Sequence, residues 1–367
     1  EYEREGVARY RELLPEEDPR RVSAEFNLGV SLHIAGDLAE AGERYEAALA
    51  VYERTRSESD PDLLKARINL GLVRIKLGDP TSALELIEGV TRAYRRDRDP
   101  HDRDRLNAEL NLAHARVGVG DLEGARDGFA LALEGLAATL PPENADVLLA
   151  RRNLAAIQIQ LGDLHGGARE LERVMRVYER TLPEDHPHMM AMRLNLGVVQ
   201  AKLGRPESAR VFMERALRDF EGRVTEENSN YLALLGNLAA VRNALGDKAG
   251  ARERFERSVR IHARTHGESD IGHLTARMNL AIVTMNLGDP AAAQPMLAST
   301  AALLEKAVGT GHPTHLECLS GLALATKKLG DLEGCLRLEQ QVVSLLGERY
   351  GPEAVGTYII SMAQDVD

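Results

Sequence analysis

The sequence has few of the features that would place a protein in a membrane, an oxidising compartment or a nucleic-acid complex. No apolar run reaches the roughly 18 residues that a membrane-spanning helix requires, and no secretory signal pattern is visible. Only two cysteines are present, Cys318 and Cys335, and we expect reduced, buried thiols there rather than a disulfide or redox pair. Acidic residues outnumber basic ones by 57 to 46, which disfavours nucleic acid and anionic membranes as main partners. These absences predict a cytoplasmic protein.

Catalytic motifs are also missing. The sequence contains no nucleophile elbow, no phosphate-binding glycine loop and no carboxylate pair in a catalytic context. The eleven histidines are not expected to form a metal site, because no metal-ligand spacing on one helix face is evident among them. His186 and His188 flank Pro187 in a turn, and His312 and His315 repeat that loop. The sequence therefore predicts no enzyme, no cofactor and no metal.

What the chain does have is an Asn-Leu pair that recurs every 42 residues, from Asn27 to Asn279, and becomes Gly321-Leu322 in an eighth copy. A glycine follows nine residues after each Asn, and all but one of these glycines precede Asp, the exception being Arg205. A small residue follows fourteen residues after each Asn, and no copy has an insertion or deletion. Such self-similarity is typical of a solenoid whose repeats stack only on their neighbours.

Each repeat predicts two helices. In repeat 2, helix A is expected over 62–77 and helix B is expected to include 83–94. Gly78 can end helix A with a positive φ, while Asp79 caps helix B and Pro80 begins it. A turn this short makes the two helices an antiparallel hairpin. Since no strand-like alternation competes, the fold is predicted to be all-α.

The order Asn27-Leu28-Gly29, Gly36-Asp37, Ala41, Tyr45, Ala48 resembles the tetratricopeptide repeat. The 42-residue length and the Pro-Glu-Asp-His-Pro loop at 183–187 are similar to the kinesin-light-chain-like subfamily. The resemblance implies a tetratricopeptide-type α-solenoid, a right-handed superhelix of antiparallel helical hairpins. HEAT and armadillo repeats have similar lengths but lack this placement of Gly-Asp and of small residues.

The predicted organisation has three parts. Residues 1–21 are expected to be a half repeat, the helix B of a truncated preceding repeat, and residues 22–352 to form eight 42-residue repeats. Residues 353–367 are expected to be a partial ninth helix A or a C-terminal cap. We therefore expect a module taken from a longer protein. The Ala/Arg/Gly bias of the chain favours a bacterial source.

Two helix A positions depart from the family pattern, the position two before each Asn and the position five after it. Large apolar residues are usual there, but this chain mostly carries arginine, glutamate or glutamine, with the arginines and glutamines at Arg67, Arg74, Arg116, Arg151, Gln158, Arg193, Gln200, Arg242 and Arg277. We expect their aliphatic stems to pack while their polar ends reach an edge.

The family resemblance implies that helix A lines a concave groove. Its groove positions would be the Asn and the residues four and one before it and three, six and seven after it, which share one helix face. The candidate peptide-binding residues are Asn27, Asn69, Asn111, Asn153, Asn195, Asn237, Asn279, Lys65, Lys76, Arg152 and Lys202. Either the Asn amides bond to adjacent repeats as a structural ladder, or they offer donors and acceptors to a bound peptide. Likewise, the apolar groove residues either contact a ligand or pack between helices.

The predicted function is a non-catalytic scaffold for protein–protein interaction that binds a peptide or partner segment in this groove. A basic inner face with apolar residues predicts an acidic segment with a hydrophobic anchor, and the resemblance implies the same preference. The alternative is a regulatory or sensor arm of a larger signalling enzyme, such as a kinase, a caspase-like protease or a nucleotide-switch ATPase. In that case the partner is an adjoining domain of the same full-length chain.

Overall fold

The structure, a computed structural model, describes residues 2–364, with the side chains of residues 2–358. This part of the chain is built from α-helices and contains no strand. The helices are α1 (Tyr2–Leu13), α2 (Pro19–Ala35), α3 (Leu38–Thr55), α4 (Pro61–Lys76), α5 (Pro80–Asp97), α6 (Arg103–Gly118), α7 (Leu122–Thr139), α8 (Ala145–Gln160), α9 (Leu164–Thr181), α10 (Pro187–Lys202), α11 (Pro206–Phe220), α12 (Ser229–Ala244), α13 (Lys248–Thr265), α14 (Ile271–Asn286), α15 (Pro290–Val308), α16 (Pro313–Lys328), α17 (Leu332–Tyr350) and α18 (Pro352–Gln364). The predicted all-α fold is confirmed.

The turn between helix A and helix B has the predicted construction. Gly78, between α4 and α5, has a φ of 84°, in the left-handed region that a Cβ disfavours. Its N–H donates to the carbonyl of Ile75, and the N–H of Asp79 donates to that of Arg74. Asp79 Oδ1 then accepts from the N–H of Ser82 at 3.2 Å, so the side chain caps helix B. Each bond lies within the turn, which explains how one short sequence makes the same turn repeatedly.

The chain divides into two compact units, unit 1 (Glu1–Thr181) and unit 2 (Leu182–Asp367). Within each unit every helix packs on the next one along the chain. Helices A of successive repeats also contact one another. In unit 1, α2 contacts α4 and α4 contacts α6, and in unit 2, α10 contacts α12, α12 contacts α14 and α14 contacts α16. Among the described helices, successive helices B have no contacts of comparable extent. The helix A side is therefore the more closely packed side of each unit.

Small residues allow the two helices of a hairpin to approach closely. Ala83 on helix B is fully buried, as are its counterparts Ala41 and Ala125. Opposite them, Gly71 on helix A faces Ile87, and a Cβ at Gly71 would lie only 2.8 Å from Ile87 Cγ1. A larger side chain in this row would push the helices apart, so the row sets the spacing within the hairpin.

Most of the arginines that depart from the family pattern pair with acidic residues of a helix B. Arg67 contacts Glu53 at 2.9 Å and Arg74 contacts Glu46 at 3.0 Å, each joining a helix A to the preceding helix B. Arg193 differs from the others, because its side chain is buried and ion-paired to Asp219. The predicted arrangement, with stems packed and polar ends at an edge, describes Arg67 and Arg74 well but not Arg193.

The terminal helices pack on their neighbours, α1 on α2 and α18 on α17. The division into 1–21, 22–352 and 353–367 stays a prediction, and residues 365–367 of its last segment lie outside the described residues. Tyr10 occupies the same repeat position as Tyr52 and Tyr94, yet it is 39% exposed where they are each 6% exposed. Among the described helices, none is both long enough and apolar enough to cross a membrane.

Candidate functional site

The candidate site is the set of six groove positions on each helix A, which we call the A face. In unit 1 it lies on α2, α4, α6 and α8, and in unit 2 on α10, α12, α14 and α16. The structure places the predicted site residues on these helices in two separate groups. Unit 1 carries Asn27, Asn69, Asn111, Asn153, Lys65, Lys76 and Arg152, and unit 2 carries Asn195, Asn237, Asn279 and Lys202.

The Asn side chains of the A face differ in their surroundings. Asn27 and Asn195 are exposed and the other five are partly buried. Asn153 donates from Nδ2 to Nε2 of His114, 3.1 Å away on the preceding helix A. Within the described structure, the side chains of the other six form no hydrogen bond. The structural ladder is therefore seen at one repeat, and six amides have free donors and acceptors.

His114 shows why Asn153 is the exception. Its Nδ1–H donates to the carbonyl of Leu110 at 2.8 Å, which leaves the lone pair on Nε2 as the acceptor for Asn153. Burial of the ring lowers the pKa of His114, so the neutral form that this network requires is favoured. No other repeat has a histidine three residues after its Asn.

The basic residues of the A face lack acidic partners. Lys65, Arg152 and Lys202 are exposed and form no ion pair among the described residues. Lys76 Nζ lies 2.9 Å from Nε2 of His33 and donates to it. Burial, and then the nearby Lys76, lower the pKa of His33, so its ring stays neutral as an acceptor. In unit 1 none of the A face positions carries an acidic residue, so the positive charge there is uncompensated locally.

Most apolar residues of the A face pack against neighbouring helices. Leu110, Met278 and Met285 are buried, and Ile68 and Ile75 are partly buried against core residues. Three large apolar side chains of the A face are exposed to solvent, namely Ile34, Leu149 and Leu324. Of the two interpretations that the sequence left open, the structure favours helix packing for most of these residues.

Unit 2 contains a pocket of about 600 Å³ between α12 and α14 that extends back to α13. It forms where helix A has only small side chains, because Ala233, Gly236 and Ala240 leave the space open, and a Cβ at Gly236 would meet nothing within 4 Å. The full lining comprises Ser229, Leu232, Ala233, Gly236, Asn237, Ala240, Phe255, Ser258, His262, His266, Asp270, Ile271, Gly272, Thr275, Ala276 and Asn279. An apolar cavity with two A face amides can hold an apolar side chain and bond to its backbone.

Sequence reasoning overlooked a cluster at the edge of this pocket. His262 lies in the last turn of α13 and His266 is the C-cap residue of that helix, four residues later, so their side chains lie on the same side, and Asp270 is the N-cap residue of α14. One potential ligand atom from each of the three lies within 4.8 Å of the others. The expectation that no histidines have metal spacing on one helix face was wrong for this pair. The four-residue spacing was visible in the sequence, but the position of Asp270 beside it depends on the fold.

The environment of His262 favours a neutral ring. Burial lowers its pKa, while the carboxylate of Asp270, 3.2 Å from Nδ1, opposes that shift. His186 and His312, in contrast, have local structural roles. Each accepts at Nδ1 from the backbone N–H two residues later and caps the start of its helix, α10 or α16.

The repeats of this chain match models of a known repeat family. Two family models described as tetratricopeptide repeat match the chain, one at residues 20–96 and 146–221 and the other at residues 232–272 and 273–314. No curated protein matches the sequence.

Several solved structures are similar to this chain. The apo form of the quorum sensor NprR from B. thuringiensis is 16% identical with a TM-score of 0.72, covering 94% of this chain and 92% of that one, a likeness that shows the fold alone. BtubC (BKLC) from P. vanneervenii is 25% identical with a TM-score of 0.50, covering 63% of this chain and 91% of that one. A Podosopora anserina putative kinesin light chain with nearly identical TPR-like repeats is 24% identical with a TM-score of 0.51, covering 55% of this chain and 96% of that one.

Proposed function

We infer, from the premise that this chain belongs to the tetratricopeptide repeat family and carries repeats of the kinesin-light-chain-like type, that it is a non-catalytic scaffold which binds a segment of a partner protein on its A face. A repeat scaffold of this kind supports a role in protein interaction. The observation that carries the finer proposal is the row of A face amides, six of which have no hydrogen-bond partner in the described structure.

An extended or helical peptide presents backbone donors and acceptors at regular intervals. The Asn side chain supplies both a donor and an acceptor, so a row of such amides on neighbouring helices can bond to a peptide backbone irrespective of its sequence. Asn27 and Asn195 are exposed and therefore accessible to a partner without any movement of the helices. Asn153 is already bonded to His114 and would contribute less.

The charge of the A face supports an acidic partner. Lys65, Lys76 and Arg152 lie on the A face of unit 1, where no acidic residue offsets them. Such charges steer association and select against basic segments more than they add affinity. Most of the affinity would come from an apolar side chain of a partner, and in unit 2 the pocket between α12 and α14 has the space and the lining for one.

The proposal is tested by charge reversal with a matched control. The test variant carries Lys65→Glu, Lys76→Glu and Arg152→Glu, and the control carries Arg9→Glu, Arg92→Glu and Arg169→Glu. The control residues are exposed, lie in the same unit away from the A face, and form no ion pair in the described structure. Both variants change the net charge equally, so a difference between them reports position rather than total charge.

The probes are fluorescein-labelled 12-residue peptides, Asp/Glu-rich around a central Leu, Phe or Trp, together with Lys-rich counterparts. We expect the acidic set to bind the unaltered chain more tightly, the A face variant to slow its association several-fold, and the control to behave as the unaltered chain. Raising the salt concentration should reproduce the effect of the A face reversals. Equal binding of acidic and basic peptides, or equal losses in the two variants, would refute the assignment.

A further inference from the structure

We propose that His262, His266 and Asp270 form a binding site for a divalent transition-metal ion of the Zn²⁺ class, at the edge of the pocket between α12 and α14. His262 lies in the last turn of α13, His266 is the C-cap residue of α13, and Asp270 is the N-cap residue of α14. Two imidazoles with a carboxylate favour zinc, copper or nickel, whereas magnesium and calcium prefer sites made only of oxygen. Nothing in the family resemblance or in the proposed function assigns these residues a role.

The spacing of the ligand atoms suits a single ion. Bond lengths of about 2.0–2.2 Å place the ligand atoms of a tetrahedral zinc site roughly 3.4 Å apart. The potential ligand atoms here lie within 4.8 Å of one another, so small movements of the side chains would bring them to the distances that an ion requires.

A hydrogen bond fixes His266 in a form that can bind a metal. Thr265 donates its only hydroxyl proton to the carbonyl of Ile261 at 2.9 Å, so its Oγ1 must accept at 2.6 Å from Nδ1–H of His266. The lone pair of the His266 ring is therefore on Nε2, which can coordinate a metal ion. Metal-binding histidines commonly donate their other ring N–H to such a partner, which orients the ring.

The surroundings of His262 and Asp270 fit the same role. His262 lies against Gly272, where a Cβ would come within 2.5 Å of its Cε1, so the glycine makes room for the ring. Its Nδ1 is buried and has no hydrogen-bond partner, although Asp270 Oδ1 is 3.2 Å away. Asp270 Oδ1 also accepts from the N–H of His273, while its Oδ2 makes no hydrogen bond in the described structure. A metal ion would satisfy the unpartnered nitrogen and the unpartnered oxygen together.

Three protein ligands leave at least one coordination position open. In α12 and α14 none of the A face positions carries a charged side chain, so a bound cation would supply the positive charge that this part of unit 2 lacks. A carboxylate of the partner segment could then complete the coordination. That last consequence depends on the proposed function, whereas metal binding itself does not.

The test is isothermal titration of Zn²⁺ into the full, tag-free chain after treatment with EDTA. We expect one zinc ion per chain at this site, and at least a tenfold loss of affinity in His266→Ala and in Asp270→Asn. Asn caps a helix about as well as Asp, so the second variant keeps the start of α14 while weakening the ligand. Circular dichroism confirms that both variants are folded.

His188→Ala is the matched control, because His186 and His188 form another pair of neighbouring histidine rings, with centroids 4.9 Å apart. It should leave zinc affinity unchanged. Zinc binding lost in His188→Ala but kept in His266→Ala would overturn the assignment, as would the absence of zinc binding to the unaltered chain.

Mg²⁺ titrated in the same way should produce no binding heat. Because no peptide is present, failure here leaves the proposed function standing, and failure of peptide binding leaves the metal site standing.

Discussion

At the scale of single residues, Asn69 and Asn153 occupy the same repeat position in unit 1 but have different partners. Asn153 donates to the buried ring of His114, whereas Asn69 forms no hydrogen bond in the described structure. Asn153→Ala should therefore lower the free energy of unfolding by about 0.5–1.5 kcal/mol, the usual net value of such a bond. Asn69→Ala should change it by less than about 0.5 kcal/mol. Urea denaturation measures both, and equal losses would mean that the whole row is structural.

The pH dependence of stability should also involve His114. Burial lowers its folded-state pKa below the unfolded value, so the folded state favours the neutral ring. This contribution to stability is fully present above the unfolded pKa of roughly 6.5 and is lost as the pH falls through it towards the folded pKa. Protonation of Nε2 would also remove the acceptor that Asn153 uses.

We therefore expect the melting temperature of the unaltered chain to fall more, between about pH 7.5 and pH 5.5, than that of His114→Gln, whose amide does not titrate. His33 and His262 also have lowered pKa values, but both are present in the two proteins, so the difference isolates His114. Parallel pH profiles of the two proteins would show that His114 does not contribute.

At the scale of the helical element, α11 begins without a side-chain cap. Arg205 occupies the N-cap and makes no capping bond, yet its φ and ψ of −117° and 66° are close to the −112° and 69° of Asp79. Both helices then continue with proline. Arg205→Asp should accept from the N–H of Ser208, as Asp79 does from Ser82, and raise the free energy of unfolding by about 1 kcal/mol.

Arg205→Ala is the control for that change, because it removes the arginine without adding a cap. The melting temperatures should rank Arg205→Asp above both Arg205→Ala and the unaltered chain. If Arg205→Asp and Arg205→Ala melt at the same temperature, the new carboxylate does not cap the helix.

The hairpins were predictable from the sequence because their determinants are local. The hydrogen bonds of the turn at Gly78, Asp79 and Pro80 all join residues close together in sequence, so the local sequence is enough to predict the turn. The buried position of Arg193 was not predictable, because Arg67 and Arg193 occupy equivalent positions and only their packing differs. The pocket and the approach of Asp270 to His262 likewise depend on how α12, α13 and α14 pack against one another.

At the scale of the whole molecule, the division between Thr181 and Leu182 leads to a prediction about fragments. Repeats of a solenoid are stabilised by themselves and by their immediate neighbours, so each unit contains the contacts that its own interior repeats need. Residues 1–181 and residues 182–367, expressed separately, should each be strongly helical by circular dichroism and melt cooperatively. A fragment that is helical only when mixed with the other would contradict this expectation.

The locally bonded turn between helices A and B has a consequence for how such a gene can change. Joining Asn69 directly to Leu112 would delete one period of the chain and recreate an Asn-Leu pair at the junction. Because every bond of a turn forms within that turn, the shortened chain would need no new loop. Recombination between misaligned copies of the repeat can therefore add or remove whole periods within a unit, so the number of repeats can vary among descendants while the shape of each repeat is inherited unchanged.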